Sequence, residues 1–160
     1  MITEADLRHL RRCVDLAAEA LEAGHNPYAT VLVAADGSVL YEARNQVSSS
    51  DRTRHPEFEV ARWAAANLPP DARATATVYT SGEHCAMCSA AHAWAGLGRI
   101  VYAASTAQTD GWRKEFGGHP SPVARLPITQ VIVDADVDGP VEAFSEELRE
   151  LHRRRHARDT

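Results

Sequence analysis

The stretch SGEHCAMC at residues 81–88, read together with HPE at residues 55–57, is the part of the chain from which the other segments are best understood. Cys85 and Cys88 are three positions apart, so on a helical turn both sulfur atoms can point at one ion. His55 adds a third ligand of a type that zinc accepts. Structural zinc sites usually take four protein ligands, whereas a catalytic zinc keeps three and leaves one position to water. Three ligands therefore favour a catalytic zinc ion, one per chain.

Glu57, two residues after His55, carries the carboxylate that such a site needs. It can take a proton from an activated water molecule and pass it to a leaving group, provided that its pKa lies near the working pH. A C-x-x-C pair by itself is ambiguous, because redox pairs, zinc ribbons and ordinary buried thiols share it. A ribbon requires a second such pair, and the remaining cysteine is Cys13, which we expect to fill the core. The two motifs together indicate catalysis.

Apolar periodicity and β-rich runs place these motifs on a fold. Helices are predicted at 2–23, 56–68, 86–95 and from residue 140 onward, and strands at 28–35, 38–43, 75–80, 99–104 and 129–133. Asp36-Gly37 joins the first two strands as a hairpin, and Pro56 suits the first position of a helix capped by His55. The segment 105–127 reads either as a lid or binding segment or as a plain surface loop. This order predicts one domain with a mixed five-stranded sheet covered on both faces.

The two motifs resemble the signature of the zinc-dependent cytidine deaminase superfamily, H-x-E followed by P-C-x-x-C, with His84 in place of the proline. The resemblance implies an α/β protein with the three-layer α/β/α fold of that superfamily. It also implies that His55, Cys85 and Cys88 hold zinc while Glu57 transfers protons. The reaction would be hydrolytic removal of an exocyclic amine from a heterocycle, with release of ammonia.

Several details are more similar to guanine deaminases and their yeast-type cytosine and tRNA adenosine deaminase relatives than to classical cytidine enzymes. They are the lead-in at residues 80–83, the Asp36-Gly37 hairpin and Trp94 in the third predicted helix. The implied substrate is a small aminated heterocycle of the guanine, cytosine or amino-triazine type. By the same similarity the heterocycle is bound by Asn45, by Tyr28, Trp94 and Phe116 on its faces, and by the backbone carbonyl near Glu83.

Other interpretations of these residues stay open. Tyr28 and Trp94 could be core aromatics, and Asn45 could cap the turn after the hairpin. We expect His84 at the pocket mouth. Guanine deaminases have an acid directly after the Phe of the late loop, where this chain has Gly117, so the resemblance leaves the substrate open.

The composition is that of a soluble globular domain, with 44% hydrophobic and 24% charged residues among 160. No apolar run approaches the roughly 20 residues of a membrane-spanning helix, and no signal-peptide pattern opens the chain, so we expect a cytoplasmic protein. A formal net charge of -5 makes nucleic acid an unfavourable partner. The basic tail at 151–160 is the exception, and we expect it to be frayed. Relatives commonly pair, so a homodimer is expected.

Two rival hypotheses follow from the same residues. A tRNA adenosine deaminase would use the arginine tail to grip a stem-loop, with a steep salt dependence. A non-catalytic zinc-stabilised binding module would instead close the fourth coordination position, with His84 or His92.

Overall fold

The structure, a computed structural model, describes residues 1–158. The strands are β1 Ala29–Val33, β2 Val39–Arg44, β3 Thr77–Gly82, β4 Ile100–Ala104 and β5 Val137–Asp138. The helices are α1 Glu4–Glu22, α2 Pro56–Asn67, α3 Pro70–Thr75, α4 Ala86–Ala95, α5 Thr106–Glu115 and α6 Ser145–Ala157, with short 3-10 turns at Ile128–Gln130 and Glu142–Phe144.

The strands form a mixed five-stranded sheet in the order β2-β1-β3-β4-β5. β1 is antiparallel to both β2 and β3, whereas β3, β4 and β5 run parallel. Side chains alternate across the sheet, so Val31 and Tyr79 enter one hydrophobic cluster with α1 and α6, while Leu32 and Val78 enter a second cluster with α2. Helices thus cover both faces, and the predicted three-layer α/β/α fold is confirmed.

α1 begins two residues after its predicted start. Thr3 caps the helix, and its side chain and that of Asp6 form a reciprocal capping box. Cys13 lies on the inner face of this helix and is fully buried, as expected of a filler residue. At the following turn, Asp36 accepts a hydrogen bond from the Ser38 N–H, and Gly37 adopts a positive φ of 87°, which closes the predicted hairpin.

The prediction for the last third of the chain is wrong in three places. The segment 105–127 contains α5, which Ser105 caps through a reciprocal bond with Gln108, although Gly111 obscures the helical pattern. The predicted strand at 129–133 does not form, because none of these five residues is buried and Val133 is 87% exposed, so the run has no apolar face toward the core; Ile128–Gln130 forms a 3-10 turn instead. The fifth strand is instead Val137–Asp138, which pairs with β4.

The structure also contains helix in two places where the sequence does not predict it, at α3 and in the basic tail. α3 was missed because Pro69-Pro70 reads as a stop, whereas Pro70 occupies the first turn of a new helix. The basic tail, expected to be frayed, is helical as far as Ala157, and residues 159–160 lie outside the described part of the chain.

A buried ion-pair network joins α1 to the far edge of the sheet. The Asp6 carboxylate accepts hydrogen bonds from the Tyr79 hydroxyl at 2.7 Å and from Arg99 at 2.9 Å, and Arg99 also contacts Asp138 at 2.7 Å. Burial would raise the pKa of Asp6, but the bonds from Arg99, Tyr79 and Thr3 outweigh it and hold the pKa well below its usual range. The ionised carboxylate therefore stabilises the folded state.

We predict that this network makes the free energy of unfolding fall at low pH. Because the folded-state pKa of Asp6 is lowered, its contribution is complete above the unfolded-state value near ~4 and is lost as pH falls through the folded-state value. Asp6→Asn should cost about 3 kcal/mol at pH 7, measured by urea unfolding, and less at pH 3. Asp15→Asn, at an exposed ion pair, should change stability by less than about 1 kcal/mol. An equal loss at both pH values in Asp6→Asn would contradict the assignment.

Candidate active site

Three metal-ligating side chains meet where α2 and α4 begin. His55 caps α2, Cys85 caps α4, and Cys88 lies in the first turn of α4. The His55 Nδ1 lies 3.6 Å from each sulfur, and the two sulfurs are 3.5 Å apart. Nitrogen and sulfur ligands about 2.0–2.3 Å from one tetrahedral zinc stand roughly 3.5–3.8 Å from each other. The triangle therefore fits zinc.

The acid–base chemistry of the two cysteines also suits a cation. Hydrogen bonding from Cys88 lowers the pKa of Cys85 to about 4, and the same bond together with burial raises the pKa of Cys88. At this distance the Cys85 sulfur is the thiolate, and it accepts the hydrogen bond of the Cys88 thiol. A divalent ion would take the place of that proton and bind both sulfur atoms. Within residues 1–158, these three side chains are the group able to hold a metal ion, and His84 and His92 are not part of it. In the part of the chain that the structure describes, neither His84 nor His92 therefore supplies the fourth ligand that the binding-module hypothesis requires.

Glu57 is buried beside this triangle, with 5% of its surface exposed. Its Oε2 lies 3.8 Å from the Cys88 sulfur, and its Oε1 accepts a hydrogen bond of 2.9 Å from the Thr80 hydroxyl. Burial raises the pKa of Glu57 to about 7, although the charge of His55 opposes the rise. A carboxyl group with this pKa can both accept and return a proton near neutral pH.

A cavity of about 240 Å³ opens over these groups. Tyr28 and Asn45 line it from the open end of the hairpin, where the Asn45 N–H donates to the Tyr28 carbonyl at 2.9 Å. The Asn45 side chain also accepts from the Val47 N–H, so it caps the turn as well as lining the cavity. Gly82 admits the Tyr28 ring, since a Cβ there would stand 2.7 Å from the ring.

The C-terminal helix supports the same wall from behind. His152, on α6, is buried and meets the Tyr28 ring edge-on, with ring centroids 5.0 Å apart. Burial lowers the pKa of His152 to about 3, so the ring is neutral at physiological pH. The position of Tyr28 therefore depends on α6.

The side chain of Glu83 has a role that the sequence did not indicate. Its two oxygens accept the backbone N–H groups of Thr106 at 2.7 Å and Ile128 at 2.8 Å. Glu83 therefore holds the start of α5 and the segment after it against the end of β3, at the edge of the cavity.

Three residues do not lie where they are expected: Trp94 and Phe116, which the resemblance places on the faces of the heterocycle, and His84, which we expect at the pocket mouth. Trp94 is 91% exposed, because it follows Cys88 by six positions, which turns it about 240° around α4 away from the ligands. Phe116 packs toward α6, with the Arg149 guanidinium 5.3 Å from its ring centroid, and does not line the cavity. His84 is buried against His92 with ring centroids 5.4 Å apart, and is not at the cavity mouth.

Sequence reasoning missed several residues of the cavity wall. Arg52, Thr109 and Arg125 line it, together with residues 119–122 of the segment that was predicted to be either a binding segment or a surface loop. An Arg in an irregular loop has no periodic pattern that would distinguish it from a solvent-exposed one.

The basic tail is engaged within the molecule. Arg153 pairs with Glu150 at 2.7 Å, Arg154 pairs with Glu22, and Arg158 contacts both Glu22 and the Leu21 carbonyl. These contacts favour a helix end that complements its own acidic residues over a grip on RNA. As for membranes, none of the helices within residues 1–158 combines the length and apolar character needed to span one.

Comparison with known proteins places the chain among deaminases. The family described as "Cytidine and deoxycytidylate deaminase zinc-binding region" matches residues 3–104. A probable cytosine deaminase of Schizosaccharomyces pombe is 33% identical over 107 residues, which cover 65% of this chain and 63% of that protein. The guanine deaminase of Bacillus subtilis is 38% identical over 97 residues, covering 59% of this chain and 62% of that protein. The chain thus spans slightly less than two thirds of either relative.

A solved structure of a guanine deaminase from Nitrosomonas europaea shares the fold. It superposes with a TM-score of 0.69 at 16% identity and covers 98% of this chain and 86% of that one. The match includes the region after residue 104, where the family match ends.

Proposed function

This chain belongs to the family of cytidine and deoxycytidylate deaminase zinc-binding domains, and we propose that it is a hydrolase that removes the exocyclic amine of a free nucleobase or similar aminated heterocycle as ammonia. The observation that carries the proposal is the position of Glu57, buried between the three zinc-fitting ligands and the cavity. The small cavity supports it, since about 240 Å³ lies below the roughly 300–1,000 Å³ of sites for drug-sized ligands.

In this mechanism, His55, Cys85 and Cys88 would hold a zinc ion, which would supply Lewis-acid activation of water. Glu57 takes one proton from the attacking water and gives it to the ring nitrogen, then takes the second proton from the new hydroxyl group and gives it to the amine. The carbon–nitrogen bond breaks, ammonia leaves, and the ring carbon keeps the water oxygen as a carbonyl. Thr80 fixes the orientation of the Glu57 carboxylate through its 2.9 Å hydrogen bond.

The substrate-binding part of the proposal rests on Tyr28, Asn45 and the backbone near Glu83. The Tyr28 ring offers a flat apolar wall for a heterocycle, and the Asn45 amide can bond its edge. Trp94 and Phe116 are not part of this proposal.

An ammonia-release screen of the zinc-loaded protein tests the function. Guanine, cytosine, adenine, amino-triazines and their nucleosides, where these exist, would be compared at equal concentration. We expect turnover of at least one free heterocycle. Stoichiometric zinc with no ammonia release from any of them would favour the non-catalytic binding module.

The homodimer and the cytoplasmic location stay predictions. Sedimentation velocity would measure whether the protein forms a homodimer.

Thr80 offers a finer test of how Glu57 is held. Thr80 is fully buried, and its hydroxyl accepts from the Thr30 hydroxyl at 3.2 Å and lies 2.9 Å from both the Glu57 carboxylate and the Gly82 carbonyl, either of which can accept its one proton. Thr80→Val keeps the shape but removes the donor, so we predict a fall in kcat of about 10-fold with KM nearly unchanged. Thr80→Ser should retain most of the rate. Equal rates in the Val variant and the wild type would exclude this positioning role.

A further inference from the structure

We propose that the substrate bears an anionic substituent, a carboxylate or a phosphate, and that Arg52 and Arg125 bind it beside the metal ligands. This inference rests on the proposed deaminase function and extends its substrate class to heterocycles that carry an anion, either on the ring itself or on an attached sugar.

The two arginines lie where two cavities meet. The 240 Å³ cavity over Glu57 adjoins a second cavity of about 270 Å³, and His55 and Cys85 line both. Arg52 and Arg125 also line both cavities. They come from different loops, one before α2 and one after α5, so their charges converge on the site from two sides.

Neither guanidinium is neutralised by a close carboxylate. Arg125 donates to the Thr109 hydroxyl at 2.8 Å, and the nearest ion-pair contact is 3.9 Å, between its Nε and Asp110. Asp110 is already bound by Arg113 at 2.8 Å and Lys114 at 2.7 Å. For Arg52, the contacts within residues 1–158 include no ion pair.

Arg52 and Arg125 differ in this respect from the arginines that form close ion pairs in this acidic protein, whose formal net charge is -5. Arginines elsewhere, such as Arg11, Arg99 and Arg153, bind carboxylates at 2.7–2.9 Å. Two guanidinium groups that lack such partners, both facing one site, leave free donors in the fork geometry that matches carboxylate or phosphate oxygens.

The acidic residues of the cavity do not take up these donors. Both oxygens of Glu83 accept backbone N–H groups, and those of Glu57 face Thr80 and Cys88. An anion on the substrate would thus meet cationic donors that the protein itself leaves unmatched.

A small anionic ligand fits better than RNA. The arginines of the tail, which would extend a phosphate-binding surface, are engaged by Glu150 and Glu22. Two cationic groups without a close carboxylate therefore remain at the cavity, where they can bind one substituent.

Matched substrates test the inference by ammonia release. Cytosine and cytidine would be compared with cytidine 5′-monophosphate for the phosphate, and 5-methylcytosine with 5-carboxycytosine for the carboxylate. Guanine, guanosine and guanosine 5′-monophosphate form a parallel series. We expect kcat/KM to be at least 10-fold higher for either the nucleotides or 5-carboxycytosine than for the matching neutral compounds. A preference for nucleotides identifies the anion as a phosphate, and a preference for 5-carboxycytosine identifies it as a carboxylate.

Variants connect any preference to the two arginines. Arg52→Gln and Arg125→Gln should each reduce the anionic-to-neutral ratio of kcat/KM by about 10- to 100-fold. Arg8→Gln, an exposed position on α1 that lines neither cavity, removes the same charge and should leave the ratio unchanged. Inorganic phosphate should compete with substrate more weakly in Arg125→Gln than in the wild type if the anion is a phosphate.

Three results would overturn the inference. The first is a wild-type protein with a higher kcat/KM for the neutral substrates. The second is an anionic-to-neutral ratio of kcat/KM that Arg8→Gln and Arg125→Gln reduce equally. The third is turnover that requires RNA stem-loops in place of small substrates. In the first two cases the deaminase function stands, whereas absence of ammonia release from every compound removes that function and the inference together.

Discussion

Glu57→Gln is expected to lower the rate of ammonia release by about 10³-fold while zinc stays at one ion per chain. The amide keeps the size of the side chain and can still accept the Thr80 hydrogen bond, so the fold is retained. It cannot accept or return a proton, which removes the proton transfer on which the proposed reaction depends. Steady-state ammonia release and metal analysis on the same preparation measure both quantities.

Glu59→Gln is the matched control for this experiment. Glu59 lies two positions further along α2 and accepts a hydrogen bond from Tyr41 at 3.1 Å, but it does not line the 240 Å³ cavity. Its replacement should leave the rate near that of the wild type. A near-normal rate in Glu57→Gln would remove this residue from the mechanism.

Cys88→Ser is expected to lower zinc affinity by more than about 100-fold. Loss of a residue that only hydrogen-bonds to a metal ligand already lowers metal affinity by about 10- to 100-fold, and loss of the ligand itself should cost more. Binding to the folded state alone stabilises a protein by about 4 kcal/mol when the free ligand is at 1,000 times Kd. The variant should lose most of this contribution. Thermal unfolding with and without a chelator should therefore show a large difference for the wild type and a small one for the variant.

Cys13→Ala separates metal loss from ordinary core damage. Cys13 lies on the inner face of α1 and is fully buried in the core, so its truncation should lower Tm while zinc remains stoichiometric. Tight, stoichiometric zinc in Cys88→Ser would show that the ligand set is wrong.

The sequence predicted the elements whose signals are local. The helix predicted at 2–23 forms as α1 with Thr3 as its cap, and Pro56 marks the predicted start of α2, because caps and Pro act within one turn of the chain. The metal triangle was predictable for the same reason: two of its ligands share one helical turn, and His55 caps another helix.

The missed features depend on tertiary contacts. β5 is two residues long and exists because β4 offers it a pairing edge, so no periodicity could mark it. Buried His84 and the brace formed by Glu83 likewise depend on packing between segments distant in sequence. The position of Trp94 was a different error, because its phase relative to Cys88 on α4 can be read directly from the sequence.

The dependence of Tyr28 on His152 has a consequence for how the protein is made. The zinc ligands and Glu57 all lie before residue 89, whereas α6 follows them in the chain. Every metal ligand is therefore synthesised before the residue that backs Tyr28, and a chain cut short before α6 would keep all three ligands while losing the support of that cavity wall.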